Sequence, residues 1–62
     1  MKRYIVIEST DKSFMGNFFE IKPEIRTHVE LPFTSDIYRC TMHNGINVQL
    51  VFDEKIIIGT LR

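Results

Sequence analysis

The stretch IYRCTMHNGINVQLVFDEKIIIGTL, residues 37–61, decides the fold of this chain. Two turn signals, Asn44-Gly45 and Asp53-Glu54, separate three runs in which apolar and polar residues alternate. Period-two alternation marks strands with one buried face, and Asn-Gly is a strong hairpin signal. The stretch therefore predicts a three-stranded antiparallel meander. A two-residue Asn44-Gly45 turn would pair His43 with Ile46 and send the apolar residues of the two strands to opposite faces. A three-residue loop with Gly45 in a left-handed bulge pairs Met42 with Ile46, Cys40 with Val48 and Tyr38 with Leu50. That register gives one apolar face and is preferred. A two-residue loop at Asp53-Glu54 pairs Phe52 with Lys55, Leu50 with Ile57, Val48 with Gly59 and Ile46 with Leu61. The predicted core face is Tyr38, Cys40, Met42, Ile46, Val48, Leu50, Ile57 and Leu61.

The opposite face of this meander carries Arg39, Thr41, Asn47, Gln49 and Thr60, which suit solvent. It also carries Ile37, Val51, Ile56 and Ile58, clustered toward one end. Such a patch needs a cover. Either the sheet curls and the first half of the chain covers it, or another molecule does.

Working back toward the N-terminus, Arg3–Glu8 reads as a strand with apolar residues on both faces, as in a strand covered on both sides. A polar turn follows at residues 9–13. Phe18 to Lys22 is the next strand, ended by Pro23, which cannot donate to a ladder. Residues 24–31 are ambiguous. Ile25, Thr27, Val29 and Leu31 alternate with Arg26, His28 and Glu30, which favours a strand, whereas a short helix at 24–31 would place Pro23 at its first position. Residues 33–36 are loop. Gly59, inside a strand, marks a bulge or a close backbone approach.

Composition agrees with this reading. The 62 residues contain no alanine and three leucines, against nine isoleucines, four valines, five threonines and seven aromatics. β-branched and aromatic residues fit pleated strands. The expected fold is one all-β, mostly antiparallel domain over residues 1–62, a curled sheet or barrel of five or six strands. In general shape it is like SH3-type or OB-type small barrels, an analogy of architecture that carries no function. A domain of this size buries only about 60% of the surface its unfolded chain exposes, so its stability is expected to be marginal.

The search for chemistry narrows the function classes. Eight basic and eight acidic residues give a formal net charge of zero, which argues against a dedicated polyanion binder. Cys40 is alone, and no Cys-x-x-Cys or His-x-x-x-His spacing exists, so no metal site or disulfide is expected. Ser9, Ser13 and Ser35 lie in turns outside any nucleophile motif, and His28 and His43 read as surface residues. Gly16, Gly45 and Gly59 are isolated, which excludes a phosphate cradle. Asp53-Glu54, the adjacent acidic pair, sits in an exposed turn. No catalytic residue, cofactor or small-molecule substrate is expected. No apolar run reaches membrane-spanning length and the first residues lack a signal-peptide core, so a cytoplasmic location is expected.

Two binding readings remain. The first is a protein–protein interface. Phe14, Met15 and Phe18 would form an adaptable hydrophobic anchor, together with the patch Ile37, Val51, Ile56 and Ile58. In the competing structural reading Phe19 and Ile21 are core and Phe14 plugs one barrel end. A homodimer fits the first reading, and an exposed edge, Lys55–Leu61 or Ile25–Leu31 depending on closure, would offer a second binding mode. Many Ile, Lys and Phe with no Ala suits an AT-rich coding sequence. A free-standing chain of this kind resembles the accessory proteins of bacteriophages and mobile elements, which often bind and block one host protein. The second reading is a single-stranded nucleic-acid binder that stacks bases on Phe18 and Phe33 and contacts phosphates through Arg26 and Arg39.

Overall fold

The computed structural model describes residues 2–24 and 27–62. The strands are β1 (Lys2–Ser9), β2 (Phe18–Ile21), β3 (His28–Glu30), β4 (Ile37–His43), β5 (Asn47–Phe52) and β6 (Lys55–Leu61), with one 3-10 turn at Lys12–Phe14. They form one six-stranded sheet in the order β2-β1-β6-β5-β4-β3. Every neighbouring pair is antiparallel. Read around the sheet, this is chain order closed on itself. From β4 onward each strand pairs with its predecessor, β2 pairs with β1, and β1 returns to β6. The only consecutive strands without a ladder are β2 and β3, which are the two edges. The result is a nearly closed barrel of 26 × 22 × 19 Å.

The interior is filled by side chains. Tyr4 and Val6 of β1, Phe19 and Ile21 of β2, Val29 of β3, Tyr38 of β4, Val48 and Leu50 of β5 and Ile57 of β6 are all buried. Burial of such side chains is worth about 1.5–3 kcal/mol each. The Tyr4 and Phe19 rings stack at 5.6 Å between centroids. Near the 44–46 hairpin tip the Gly45 N–H donates to His43 Nδ1, which fixes that nitrogen as the acceptor. His43 Nε2 then carries the proton and lies 3.1 Å from the Tyr4 hydroxyl oxygen. Among the described residues the buried Tyr38 hydroxyl has no hydrogen-bond partner, and burial pushes its pKa up.

The β5–β6 register is the expected one, with Phe52 opposite Lys55, Leu50 opposite Ile57 and Val48 opposite Gly59. Asp53 enters the left-handed region at φ 53°, which a short polar side chain tolerates in a tight hairpin. The β4–β5 register differs from the expected one. Cys40 faces Leu50, and beyond a bulge at Thr41 Met42 faces Gln49 and His43 faces Val48. The cause is the Asn44 side chain. Its Oδ1 accepts from the Asn47 N–H at 2.7 Å and the Ile46 N–H at 3.1 Å, while the Asn44 backbone N–H donates to the Asn47 carbonyl. The turn therefore sits at Gly45-Ile46, and the bulge restores Cys40 to the face of Leu50. Tyr38, Val48, Leu50 and Ile57 join the core as expected, but Ile46 at the tip is 62% exposed, and Met42 and Leu61 are also exposed.

Three further expectations are corrected. The 24–31 segment is neither a full-length strand nor, in its described part, a helix. Residues 23–24 lie in a turn, and among the described residues of the segment only His28–Glu30 is strand, with Leu31 buried just beyond it. Lys55–Leu61 is not an edge, because β6 lies between β1 and β5; β3 is the edge that was expected from the 25–31 pattern. The first half of the chain does not cover the outer face of the meander, because β1 and β2 extend the same sheet. Nor is β1 covered on both sides, since Ile7 is exposed.

Gly59 shows a close approach. A Cβ added there would lie 2.6 Å from Cζ of the buried Phe19 ring. Replacing a strand glycine with alanine ordinarily favours the fold through chain entropy. Here the sign is opposite. Gly59→Ala is expected to cost about 1–3 kcal/mol from overpacking, read as a lower denaturant midpoint at unchanged slope.

Candidate partner-binding surface

Because the interior is packed, the candidate site lies on the outer wall. The ladders place side chains there residue by residue. Ile56 stands directly opposite Val51, and Ile58 follows two residues along β6. Ile37 lies diagonal to Val51, two residues before Val51's partner Arg39. Four of the residues expected to bind a partner, Ile37, Val51, Ile56 and Ile58, are thus neighbours. Ile37 is 49% and Ile56 37% exposed, while Val51 and Ile58 are half-buried.

The patch is longer than the sequence implied. The β1–β6 register shifts between Val6 and Glu8, so Ile7 bulges out beside Ile58. Half-buried Ile5 stands on the same face, opposite Thr60 on one side and Phe18 on the other. Phe18 is 41% exposed. A diagonal apolar stripe therefore crosses five strands, from Phe18 through Ile5, Ile7, Ile58, Ile56 and Val51 to Ile37. It is bordered by Thr60, Asn47, Gln49 and Arg39 on one side and by Glu8 and Thr10 on the other. The apolar residues of β1 were visible in the sequence. Their place in the stripe was not, because it depends on which strand β1 meets and on the bulge at Ile7.

The anchor expected from Phe14, Met15 and Phe18 is divided. Phe14 is half-buried, packs against the core and meets Phe33 at 5.0 Å between ring centroids. Asp11 caps the 3-10 turn that carries it. Its carboxylate accepts from the Ser13 hydroxyl at 2.7 Å and from the Ser13 N–H at 3.0 Å. Met15 is exposed in the turn that follows, and Phe18 belongs to the stripe with the Arg3 guanidinium 4.8 Å from its ring centre. Of the nucleic-acid reading, Phe18, Phe33 and Arg39 lie on separate elements. Phe33 follows β3 and is engaged by Phe14, Arg39 is on β4 at the border of the stripe, Phe18 is on β2, and Arg26 lies outside the described residues.

Charge around the stripe is mixed. Lys12 pairs with Glu8 at 3.3 Å and Lys55 with Asp36 at 3.0 Å. The hydrogen bond from Lys55 to Asp36 raises the lysine pKa. Such exposed pairs contribute little to stability. Among the described residues no group of three or more His, Cys, Asp or Glu side chains could hold a metal ion, and no helix is long and apolar enough to cross a membrane. No protein-family model, curated protein or solved structure matches the chain.

The cap at Asp11 yields a pH-dependent expectation. Hydrogen bonds from the Ser13 hydroxyl and N–H hold the Asp11 carboxyl below its ordinary value. A group with a depressed folded pKa contributes stability that is present above the unfolded value and is lost as pH falls through the folded one. Wild type should therefore melt above Asp11→Ala at neutral pH, and the gap in melting temperature should narrow as pH falls through the ordinary aspartate value of about 3.9 and below it. Circular dichroism melts across that range measure it.

Proposed function

We propose that this chain is a non-enzymatic binding protein that acts on another protein through the outer-wall stripe. The observation that carries this reading is the stripe itself. Seven neighbouring apolar side chains lie on the solvent side of a barrel whose own interior is already filled. A contiguous apolar patch bordered by polar residues is the usual form of a protein contact, with the energy concentrated in a few central side chains. Ile56 and Ile58 hold the centre. Phe18 and Ile37 form the ends, and Arg39 stands at the rim, where a charge affects association rate more than affinity. Occupying and blocking one target, in the manner of the accessory proteins of bacteriophages and mobile elements, is the role that suits the central part of the stripe, Ile7, Ile58, Ile56 and Val51, on three adjacent strands.

The test begins with immobilised protein and a nuclease-treated lysate at low and high salt. Mass spectrometry identifies what is retained, and titration calorimetry against the purified partner follows. Wild type is expected to keep a stoichiometric protein at both salts. Ile56→Asp, with an unchanged circular dichroism spectrum, should weaken binding at least tenfold, a loss of about 1.4 kcal/mol or more, while Arg39→Glu changes it far less. Retention that vanishes with nuclease and falls steeply with salt would move the function to single-stranded nucleic acid. No retained protein, with a monomer at every concentration in sedimentation, would overturn the proposal.

A further inference from the structure

The unzipped seam between β2 and β3 is a second surface, which meets the stripe at Phe18. The phase of the ladders fixes which backbone groups face it. Arg62 N–H donates to the Arg3 carbonyl and Val6 N–H to the Asn17 carbonyl. Residues 3 and 5 of β1 therefore turn their backbone groups to β6, and residues 4 and 6 turn theirs to β2. Tyr4 stands opposite Phe19, so Phe19 and Ile21 bond β1, while Phe18 and Glu20 point their N–H and C=O groups into the seam. On the other side Cys40 N–H donates to the Thr27 carbonyl, which sets Val29 against Tyr38 and turns the backbone of His28 and Glu30 into the seam. All four seam residues are exposed, and among the described residues no backbone hydrogen bond joins β2 to β3.

Two overlapping depressions follow the seam: one of about 80 Å³ lined by Ile21 and Val29, and an open one of about 400 Å³ reaching Phe18 and Pro32, with Glu20, Lys22 and Glu30 lining both. Both edges are unpaired, but beyond Glu30 the next seam-facing position of the β3 side is Pro32, which has no N–H to offer, whereas β2 presents Phe18 and Glu20 with both groups free. Its outward side chains are ordered Phe18, Glu20 and then Lys22 just past the strand, an apolar, an acidic and a basic position two residues apart. Side chains opposite one another on antiparallel strands select their partners by charge and apolar contact.

We infer that the free edge of β2 accepts an extended segment of a partner protein, paired antiparallel through main-chain hydrogen bonds. Charge complementarity specifies the segment. From N- to C-terminus it presents an acidic residue to Lys22, a basic residue to Glu20 and an apolar residue to Phe18, at alternate positions. Backbone pairing supplies the affinity and these three contacts the selection, as in strand addition generally. Edge charges that discourage indiscriminate pairing become the selection device for one pattern.

The test uses isotope-labelled full-length protein and a capped peptide with glutamate, lysine and phenylalanine at alternate positions and serine between them. Amide shifts should change at Phe18 and Glu20, and exchange of those amides with solvent should slow about tenfold at saturation. The same peptide N-methylated at the pairing positions should bind at least tenfold more weakly, about 1.4 kcal/mol. Glu20→Lys should reverse the preference toward a peptide with glutamate in place of lysine. Glu20→Pro should abolish binding without touching the β1 ladder; if it fails to fold, the N-methylated peptide decides. Ile56→Asp should leave the peptide response intact, which separates this site from the stripe. Undiminished binding of the N-methylated peptide, shifts centred on Ile56 and Ile58, or no shift at millimolar peptide would overturn the inference.

Discussion

The contact on which the rest of the molecule depends is the antiparallel pairing of β1 with β6. Without it the chain would be a β1–β2 hairpin joined to a four-stranded meander, and a lone hairpin is marginal in water. With it the strands wrap around one core and the first hairpin acquires a buried face. The pairing is held tight at one place. Gly59 sits between Val6 and Val48 and has no side chain, so the Phe19 ring can lie against β6 where any Cβ would intrude. Phe19 in turn stacks on Tyr4, and Tyr4 reaches His43 at the hairpin tip. One glycine thereby connects the N-terminal hairpin to the far end of the barrel.

That closure also bears on the proposed binding role. A six-stranded barrel of this size encloses only its own side chains. The proposed contacts therefore fall on the outer wall and on the seam between β2 and β3. The two differ in physical character. The stripe offers apolar area, which is non-directional and weakly dependent on salt. The seam offers backbone donors and acceptors in a fixed phase, bordered by charges of both signs. A domain with both could hold one partner by area and read an extended segment of that partner by pairing.

Much of the fold was legible in residues 37–61, because period two and turn chemistry are local properties. The Phe52–Lys55 hairpin and the burial of Tyr38, Val48, Leu50 and Ile57 followed from them. The β4–β5 register did not. The competing solutions differed by one or two residues, and the deciding interaction was a side chain, Asn44, bonding the backbone within its own loop. Four members of the stripe were legible as a cluster of isoleucines and valine on a nominally polar face. Ile5 and Ile7 were visible as apolar residues but read as covered, since a two-sided apolar strand usually lies in a sheet's interior. Phe14 was readable both as an anchor and as an end plug; its contact with Phe33, a residue 19 positions away in the sequence, is non-local.

The sequence by itself determined that this chain forms short antiparallel strands with one apolar face, turns at Gly45 and Asp53, and carries no metal-binding or nucleophile motif. These follow from alternation, from which residues accept positive φ, and from residue types and spacings that can be read along the chain. The tertiary structure alone decided that β1 lands on β6, that bulges fall at Ile7 and Thr41, that the outer isoleucines join into a diagonal stripe, and that the barrel stays open between β2 and β3. Each of these depends on which distant strands meet and in what register. That choice is made by the joint packing of Tyr4, Phe19, Tyr38 and Leu50 inside the barrel, and by no short stretch of the chain.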